Sequence, residues 1–532
     1  MPSDVHPGPP CPQIDADALS GALPPLPGWL ADLRPVAPRL PWPPRPSEPS
    51  LDLSQGEFAR LLKQAGVCDL GAVPVPGACV LLPWGVALSE RLAQLLREAF
   101  GELELDEYAY PQVVPQECFE PMADLLDAER CLLQVATGLD RAQGRSRGVL
   151  TPTGEQVIAS HWRQLLSQPE TLPIRLFQRA RYFRPVSSAD RSGKGVFAAL
   201  EAADVFEFHC CHAAMPDAQR DLQRLHLGLA RLAESLPLPQ LVGVRPPWGN
   251  REALYEWAVG GDTPLPSGEC VQTSALYFQG QRLSRRYDIG LGKGEQRRHA
   301  WQLDGFASRR MLYAQLFLSA KADGSLSVHP RLAPVQVAIL ARAPGEDDGR
   351  RLHGLQRRLR ALGLRPALEH CDDAKALTAR IRHWRKRGAP LLLLYFGQRH
   401  AQDLPRLRLY RTDTDQELEL ELELATAPTD DADALSQRLA DALADIDDYA
   451  GAAVLRRARG QIAFAASEAE ARQALAARKS VIAPVCPTRL HTEAVAAWRM
   501  GELCSFAAAD EPAPCIFSGR PTWARALLSR RI

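Results

Sequence analysis

A proline-bounded break divides this sequence into two patterns, and the strand-like run "RLAPVQVAILAR" (331–342) follows it. Before the break, strand-like runs dominate 174–213 and 268–290, and "DGFASRRMLYAQLFLSA" has the wide apolar face of a packed helix. This order predicts a mixed, largely antiparallel sheet that is flanked by helices.

After the break, strand patterns alternate with amphipathic helices, which predicts a small α/β domain. The predicted helices are "GRRLHGLQRRLRALG" and "AKALTARIRHWRKRG", and the strands are "APLLLLYFG", "RLRLYRT" and "ELELELELA". In the last strand, glutamates alternate with leucines from Glu417 to Glu423, which is typical of a strand with one buried and one solvated face.

The length and the proline distribution predict several domains and one irregular segment. A chain of 532 residues is too long for one ordinary core. Residues 1–50 contain fifteen prolines, so they predict a proline-rich disordered arm. Beyond it, we predict a catalytic-type domain at 51–330, an α/β domain at 331–440 and a small C-terminal α+β domain at 441–532.

The composition narrows the possible partners and the compartment. Lys plus Arg and Asp plus Glu balance at 63 each, so any RNA binding depends on local patches such as the two basic helices after the break. The sequence has no apolar run of about 18 residues and lacks the pattern of a secretory signal. The twelve cysteines lie mostly in apolar contexts, which favours reduced thiols in a cytoplasmic protein without a membrane span.

Several strings, in order along the chain, resemble motifs of the class II aminoacyl-tRNA synthetases, and most closely those of prolyl-tRNA synthetases of the archaeal and eukaryotic type. They are "GACVLLPWGVALSERLAQLLREAF", "LTPTGEQVI", "LPSGECVQTSALYFQGQRLSRRYDI", "HAWQLDGFASRRM", "PRLAPVQVAIL" and "LLLLYFGQR". The resemblance covers about 54–532. It implies a class II antiparallel sheet flanked by helices, an α/β anticodon-binding domain, a C-terminal zinc-type domain and a homodimer.

The resemblance also implies roles for individual residues. Thr153 and Glu155 would hold the imino group of proline, and Tyr277 would form a wall beside its ring. Arg184 would contact the α-phosphate of ATP and the substrate carboxylate, and Arg309 would reach the γ-phosphate. These two arginines are the predicted catalytic residues, because a planar guanidinium makes bidentate bonds to carboxylate or phosphate.

Gln272 stands where the family's glutamine contacts ATP. Each of these residues also has an ordinary structural interpretation. The arginines could be solvated, the Thr153–Glu155 segment could be a turn leading into a helix, and Gln272 and Tyr277 could be inward-facing strand residues.

The pattern breaks in the nucleotide-binding hairpin that follows Arg184. Val186 occupies the place of the glutamate that reads the adenine amino group in the family. Glu201 lies where a second arginine for the triphosphate is expected. Arg191 and Lys194 in the loop between them could supply the missing positive charge, or they could be solvated loop residues.

The C-terminal segment keeps part of a metal-binding pattern. Cys486, His491, Cys504 and Cys515 are the candidate ligands of a structural zinc ion, and Ser518 occupies a position where a cysteine would be usual. Cysteine and histidine are chemically suitable for zinc. The alternative is a metal-free remnant of the same fold.

For the anticodon-binding domain, the resemblance implies that Arg399 contacts the tRNA anticodon, although Gln398 and His400 replace the usual proline and aspartate. The predicted function is ATP- and Mg²⁺-dependent activation of proline, or a close analogue, and its transfer to tRNA. Two alternatives stay open. One is a catalytically impaired paralogue that binds tRNA or an amino acid, and the other is an activating enzyme with an acceptor other than tRNA.

Overall fold

The computed structural model describes residues 23–26, 53–125, 132–166, 172–186, 194–245, 248, 254–292, 294–397, 406–420 and 430–532. Within these residues, no helix combines the length and the apolar character that crossing a membrane requires. Of the predicted disordered arm, only 23–26 is described, where the Pro24 carbonyl accepts a hydrogen bond from the Ala508 N–H. The rest of the arm lies outside the described residues.

In the described residues the α-helices are α1 (Gln55–Gln64), α2 (Pro83–Glu102), α3 (Gly138–Ala142), α4 (Glu155–Leu165), α5 (Met215–Ser235), α6 (Arg282–Arg286), α7 (Arg310–Ser319), α8 (Glu346–Ala361), α9 (Ala374–Arg387), α10 (Asp430–Gly460), α11 (Glu468–Ala476) and α12 (Arg489–Ala497). Short 3₁₀ helices lie at Gln116–Met122, Gly195–Phe197 and Gly294–Gln296.

The strands are β1 (Cys68–Asp69), β2 (Val80–Leu81), β3 (Asp106–Tyr108), β4 (Val113–Val114), β5 (Leu133–Val135), β6 (Gly148–Leu150), β7 (Ile174–Phe183), β8 (Glu201–His212), β9 (Leu241–Arg245), β10 (Trp257–Pro264), β11 (Glu269–Gly280), β12 (Gly290–Leu291), β13 (Arg298–His299), β14 (Trp301–Ser308), β15 (Val337–Arg342), β16 (Pro366–Cys371), β17 (Leu391–Phe396), β18 (Arg406–Arg411), β19 (Gln416–Leu420), β20 (Ile462–Phe464), β21 (Ser480–Pro484), β22 (Glu502–Pro514) and β23 (Pro521–Arg531).

A large sheet forms the centre of the molecule. Its eleven described strands follow the order β20-β21-β23-β22-β9-β10-β11-β14-β8-β7-β3. Most neighbours are antiparallel, whereas β3–β7, β20–β21 and β11–β23 are parallel. Helices α2, α5 and α7 contribute Leu92, Leu225 and Leu316 to one buried cluster with this sheet. The predicted mixed sheet with flanking helices is therefore confirmed.

The chain enters this core through a well-capped helix. The Ser54 hydroxyl accepts a hydrogen bond from the Glu57 N–H, and the Glu57 carboxylate accepts one from the Ser54 N–H. This reciprocal capping box, for which a serine three residues before a glutamate is typical, fixes the start of α1. Phe58 on α1 then stacks on Phe317 of α7 with ring centroids 4.0 Å apart.

The second unit is a five-stranded sheet in the order β16-β15-β17-β18-β19, with α8 and α9 as connections. The strands β16, β15 and β17 are parallel, and β18 and β19 follow as antiparallel neighbours. In β19, Glu417 and Glu419 are exposed whereas Leu420 is buried, as the alternation of the sequence predicts.

The C-terminal segment, predicted as a small α+β domain at 441–532, is joined to the large sheet. The predicted boundary at residues 440 and 441 lies inside α10, and β20 to β23 extend the large sheet. Phe506 of β22 pairs with Val244 of β9, and Glu269 of β11 pairs with Arg530 of β23. An unpaired edge strand exposes a row of backbone hydrogen-bonding groups, and the C-terminal strands satisfy those of β9.

Candidate active site

A cavity of about 750 Å³ lies between the large sheet, the turn before α4 and the start of α7. Every side chain that the sequence predicts for amino-acid or ATP binding lines it: Thr153, Glu155, Arg184, Gln272, Tyr277 and Arg309. These residues come from separate segments, so only the fold brings them together. Their roles stay predictions.

The turn before α4 carries Thr153 and Glu155 into the cavity. The Thr153 hydroxyl donates a hydrogen bond to the Glu155 carboxylate. Gly154 lies directly before α4, and a Cβ atom at that position would clash with the Glu207 carboxylate and the Tyr182 hydroxyl. The absence of a side chain at residue 154 therefore lets the turn pack directly on β7 and β8.

Two more carboxyl groups, those of Glu207 and Asp304, line the same part of the cavity. Asp304 of β14 lies opposite His209 of β8, and Glu207 lies two residues before His209 on the same face. Burial, assisted by the negative charge of Glu155, raises the pKa of both carboxyl groups well above the usual range. We name Glu155, Glu207 and Asp304 the carboxyl cluster.

Another part of the lining, the arginine cluster, contains Arg179, Arg181, Arg184, Arg309 and Arg310. Its organising group is the carboxylate of Asp204, which lies 2.8 Å from Nε of Arg309 and 2.7 Å from Nη2 of Arg179. Burial alone would raise the pKa of Asp204, but the two guanidinium groups lower it. A shared, ionised carboxylate thus holds two cations at fixed positions in the cavity wall.

Arg309 differs in one respect from its sequence-based placement. It was predicted to lie on a helix, whereas α7 begins one residue later and Arg309 is its N-cap residue. The Arg309 N–H donates to the Asp204 carbonyl oxygen at 3.1 Å, so both its backbone and its side chain are tied to β8.

Arg184 and Arg310 complete the arginine cluster. Nε of Arg184 donates a hydrogen bond to the Pro152 carbonyl oxygen at 2.9 Å, which ties the end of β7 to the turn before α4. Burial and the nearby charge of Arg184 lower the pKa of Arg310 to about 10. Two cations close enough to perturb each other favour the binding of an anion between them.

Gln272 and Tyr277 lie on β11 beside the carboxyl cluster. Nε2 of Gln272 donates to the Tyr277 hydroxyl at 3.4 Å, and Oε1 of Gln272 accepts from Nη2 of Arg531 at 3.1 Å. Burial raises the pKa of Tyr277 to about 12, so its hydroxyl stays protonated at neutral pH. Arg531 shows that the last strand of the chain supports this wall of the cavity.

Comparison with known proteins finds proline–tRNA ligases and a prolyl-tRNA synthetase structure. The proline–tRNA ligase of Pyrobaculum islandicum is 26% identical over 342 residues, which are 63% of this chain and 68% of that protein. The proline–tRNA ligase of Aeropyrum pernix is 24% identical over 353 residues, which are 64% and 72% of the two chains. The structure of Giardia lamblia prolyl-tRNA synthetase in complex with prolyl-adenylate superimposes with a TM-score of 0.76 and 20% identity, over 91% of this chain and 100% of that one.

The chain is related to the prolyl-tRNA synthetases and shares their fold. No protein-family model matches it. The class II fold inferred from the sequence strings is confirmed by this similarity.

The two departures from the prolyl-tRNA synthetase pattern have different structural consequences. Glu201 forms an ion pair with Arg181, so the acidic group in the nucleotide-binding hairpin has a cationic partner. Val186 lies against Gly77, where an added Cβ atom would be 3.0 Å from the Val186 Cβ. No carboxylate occupies the position of residue 186, and Arg191 of the loop lies outside the described residues.

Sequence reasoning missed Arg310, Glu207 and Asp304. Arg310 directly follows the predicted Arg309, and the adjacent arginines gave no signal to choose between them. Asp304 lies in the quoted string "HAWQLDGFASRRM", and Glu207 lies in "VFEFH". A carboxyl group inside an otherwise apolar strand could have indicated a functional position, since buried carboxylates are rare without a partner.

The four predicted zinc ligands are not all brought together. Sγ of Cys515 lies 3.9 Å from Nδ1 of His491, and the Cys486 N–H lies 3.3 Å from Sγ of Cys515. Cys504 instead packs with Cys270 and Leu241, Ile482 and Leu527 in a separate apolar cluster.

The prediction of Cys504 as a ligand is therefore wrong, because its side chain lies on a core-facing position of β22. Nδ1 of His491 already donates a hydrogen bond to the Cys486 carbonyl oxygen, 2.9 Å away. Two thiols and one imidazole fall short of the four ligands of a closed structural zinc site. The residues present do not fit the predicted zinc centre.

The predicted anticodon contact, Arg399, lies outside the described residues, as do Gln398 and His400. The basic helix α9 is described, and several of its arginines have partners. Arg380 pairs with Glu369, and Arg385 with Asp415.

Proposed function

We propose that this protein activates proline or a related amino acid with ATP, forms an aminoacyl-adenylate and transfers the aminoacyl group to tRNA. The observation that supports the proposal is the convergence of six predicted side chains on one cavity, whose lining contains both arginines and carboxyl groups. The similarity to proline–tRNA ligases supports the same reaction.

The reaction needs two anions to approach each other. A carboxylate oxygen of the amino acid attacks the α-phosphorus of ATP, a new P–O bond forms, and the bond to pyrophosphate breaks. Arg184 and Arg310 would lie beside the carboxylate and the α-phosphate, where their charges reduce the repulsion and align the groups in line. No covalent nucleophile of the protein is required.

The arginines held by Asp204 have a different task. Ion pairs with Asp204 hold Arg309 and Arg179 in place. These side chains would therefore lose little conformational entropy when they bind the outer phosphates of ATP. Mg²⁺ would accompany ATP and neutralise part of the charge on its phosphates.

The carboxyl cluster suits the other half of the substrate. Glu155 presents a carboxylate beside the Thr153 hydroxyl, which provides an acceptor and a polar neighbour for a positively charged imino or amino group. Tyr277 stands next to it as an aromatic wall, and Tyr255 packs against Tyr277 with ring centroids 5.2 Å apart.

Transfer to tRNA, the homodimer and a cytoplasmic location belong to the same proposal. The five-stranded α/β unit has the place in the chain order of an anticodon-binding domain. Arg399 stays the predicted contact to the anticodon.

The test is amino-acid-dependent exchange of label between pyrophosphate and ATP, with the full-length protein and a panel of amino acids that includes proline. We expect exchange with the wild-type protein and a loss of at least about 100-fold in Arg184→Ala, since a single preorganised charged donor contributes that much to such reactions.

The control is Arg220→Ala on the exposed face of α5, where the guanidinium pairs with Asp217 of the same helix. It should exchange at the wild-type rate. A folded wild-type protein that shows no exchange with any amino acid would contradict the proposal.

One observation favours the catalytically impaired paralogue as a second candidate. Val186 packs on Gly77 and offers no acceptor for the adenine amino group. If this alternative holds, the protein binds amino acid or tRNA in filter or calorimetric assays without supporting exchange. If exchange occurs but tRNA accepts no aminoacyl group, the acceptor is another molecule.

A further inference from the structure

The carboxyl cluster contains more carboxyl groups than the single cationic imino group of proline can bind. Three carboxyl groups line this part of the cavity, and those of Glu207 and Asp304 are only 6% and 4% exposed. A buried carboxylate normally has a cationic partner or is held protonated.

The described residues provide no charged partner for these groups. Glu207 accepts a hydrogen bond from the Tyr182 hydroxyl, and its other oxygen lies 3.1 Å from Nε2 of His209. Burial lowers the pKa of His209 to about 4, so this imidazole is neutral at pH 7. No lysine or arginine among the described residues forms an ion pair with Glu155, Glu207 or Asp304.

Asp304 contributes an oxygen atom without a hydrogen-bond partner to the cluster. Its Oδ1 is buried and has no hydrogen-bond partner among the described residues. Asp304 also lines the cavity, so a ligand can reach it. An unsatisfied buried acceptor costs free energy that a ligand donor would restore.

We propose that the amino acid activated here carries a second positively charged group, which Glu207 and Asp304 bind while Glu155 binds the α-amino or imino group. The preferred substrate is then a diamino acid, linear or cyclic, rather than proline. This inference rests on the proposed activation function, which it extends by naming the substrate class.

A resident metal ion is the competing occupant of these groups. The ligand atoms of Glu207, His209 and Asp304 lie within 4.8 Å of one another, and the three residues are buried. However, Glu207 already accepts hydrogen bonds from Tyr182 and from the Gly154 N–H, which leaves few lone pairs for an ion. The cavity gives a cationic substrate direct access to Asp304, and we therefore favour the substrate.

The test compares diamino acids with uncharged amino acids of matched size in ATP–pyrophosphate exchange. The panel contains 2,4-diaminobutyrate, ornithine, lysine, a ring-containing diamino acid, norvaline, norleucine and proline. We expect the kcat/KM for at least one diamino acid to exceed that for proline by tenfold or more.

Two variants test whether Asp304 and Glu207 bind the second positively charged group of the substrate. Asp304→Asn and Glu207→Gln should each lower kcat/KM for the diamino acid by at least about tenfold, the loss expected when one partner of a desolvated charge pair is neutralised. The ratio of kcat/KM for the diamino acid to that for proline should fall by at least about tenfold. Glu295→Gln, an exposed carboxyl group outside the cavity, is the control and should alter neither value.

Preference for proline over every diamino acid, with no change of preference in Asp304→Asn, would overturn the inference. Stoichiometric metal in the purified protein that Asp304→Asn removes would also overturn it, in favour of the ion. If no amino acid supports exchange, calorimetric titration decides separately. If a diamino acid binds to the wild-type protein but not to Asp304→Asn, the proposed substrate recognition stands and the proposed activation by ATP is refuted. If no diamino acid binds, both proposals are refuted.

Discussion

The arginine cluster and the carboxyl cluster line one cavity, but they differ in how their ionisable groups are stabilised. Ion pairs stabilise the first, and protonation stabilises the second. In the arginine cluster, Asp204 pairs with Arg179 and Arg309, and Glu201 pairs with Arg181. In the carboxyl cluster, burial keeps Glu207 and Asp304 close to their protonated forms, and no described lysine or arginine pairs with them.

The difference indicates which half of the substrate each cluster recognises. Paired arginines are positioned before the ligand arrives, so they suit a ligand such as a triphosphate whose charge is large and invariant. Burying a carboxyl group without a charged partner costs free energy. A bound cation beside the group would recover that free energy. The carboxyl cluster therefore lowers the free energy of unfolding of the ligand-free protein, and a bound cationic substrate would raise it again.

The strongest test of this comparison removes the charge that organises the arginine cluster. Asp204 has a backbone φ of 53°, which asparagine tolerates, so Asp204→Asn removes the charge without adding backbone strain. We expect the free energy of unfolding to fall by about 3 kcal/mol, because two arginines lose their buried partner. The KM for ATP should rise by about tenfold or more. Chemical denaturation and exchange kinetics measure the two effects.

Asp288→Asn provides a matched control. Asp288 has the same φ of 53° and an arginine partner, Arg297, but its side chain is 46% exposed. Its substitution should change the free energy of unfolding by no more than about 0.5 kcal/mol. Equal effects of the two substitutions would contradict the preorganised arginine cluster.

The next prediction concerns the pH dependence of stability at Asp304. The folded protein keeps a proton on Asp304 above pH 4, whereas the unfolded chain has lost it. The folded state then binds more protons than the unfolded state, so the free energy of unfolding falls as pH rises from the unfolded pKa towards the raised folded pKa. Each pH unit in this window costs about 1.4 kcal/mol per carboxyl group.

Asp304→Asn removes the contribution of Asp304 to this dependence, so the free energy of unfolding of the variant relative to that of the wild type should rise with pH. Urea denaturation at pH 5, 6, 7 and 8 measures it. Parallel curves for the two proteins would mean that Asp304 ionises normally and that the two clusters do not differ as described.

The fold was predictable from the sequence largely because its signals are local. The alternation around Glu417, the capping box of Ser54 and the order of motif-like strings each describe a few neighbouring residues. The extension of the large sheet by β20 to β23 was not predictable in this way. It depends on pairings such as Val244 with Phe506, which are distant in sequence.

The candidate site was predicted in part for the same reason. Thr153, Glu155 and Arg184 were found through strings that resemble known motifs. Glu207 and Asp304 come together only through the β8–β14 register, and the sequence string that begins at Asp304 predicts a helix there instead of a strand. Cys504 was misplaced because the spacing of cysteines does not reveal which face of β22 each side chain takes.

The smallest predicted effect concerns the exposed ion pair of the arginine cluster. Arg181 and Glu201 are 51% and 40% exposed, so Glu201→Gln should change the free energy of unfolding by less than about 0.5 kcal/mol.

The substitution removes a negative charge beside the site proposed for the triphosphate and releases Arg181 to face it. We therefore expect the KM for ATP to fall about two- to threefold at low ionic strength, and the difference to disappear in high salt because exposed charges are screened. A rise in KM would instead mean that Glu201 positions Arg181 for ATP, as Asp204 is inferred to position Arg309.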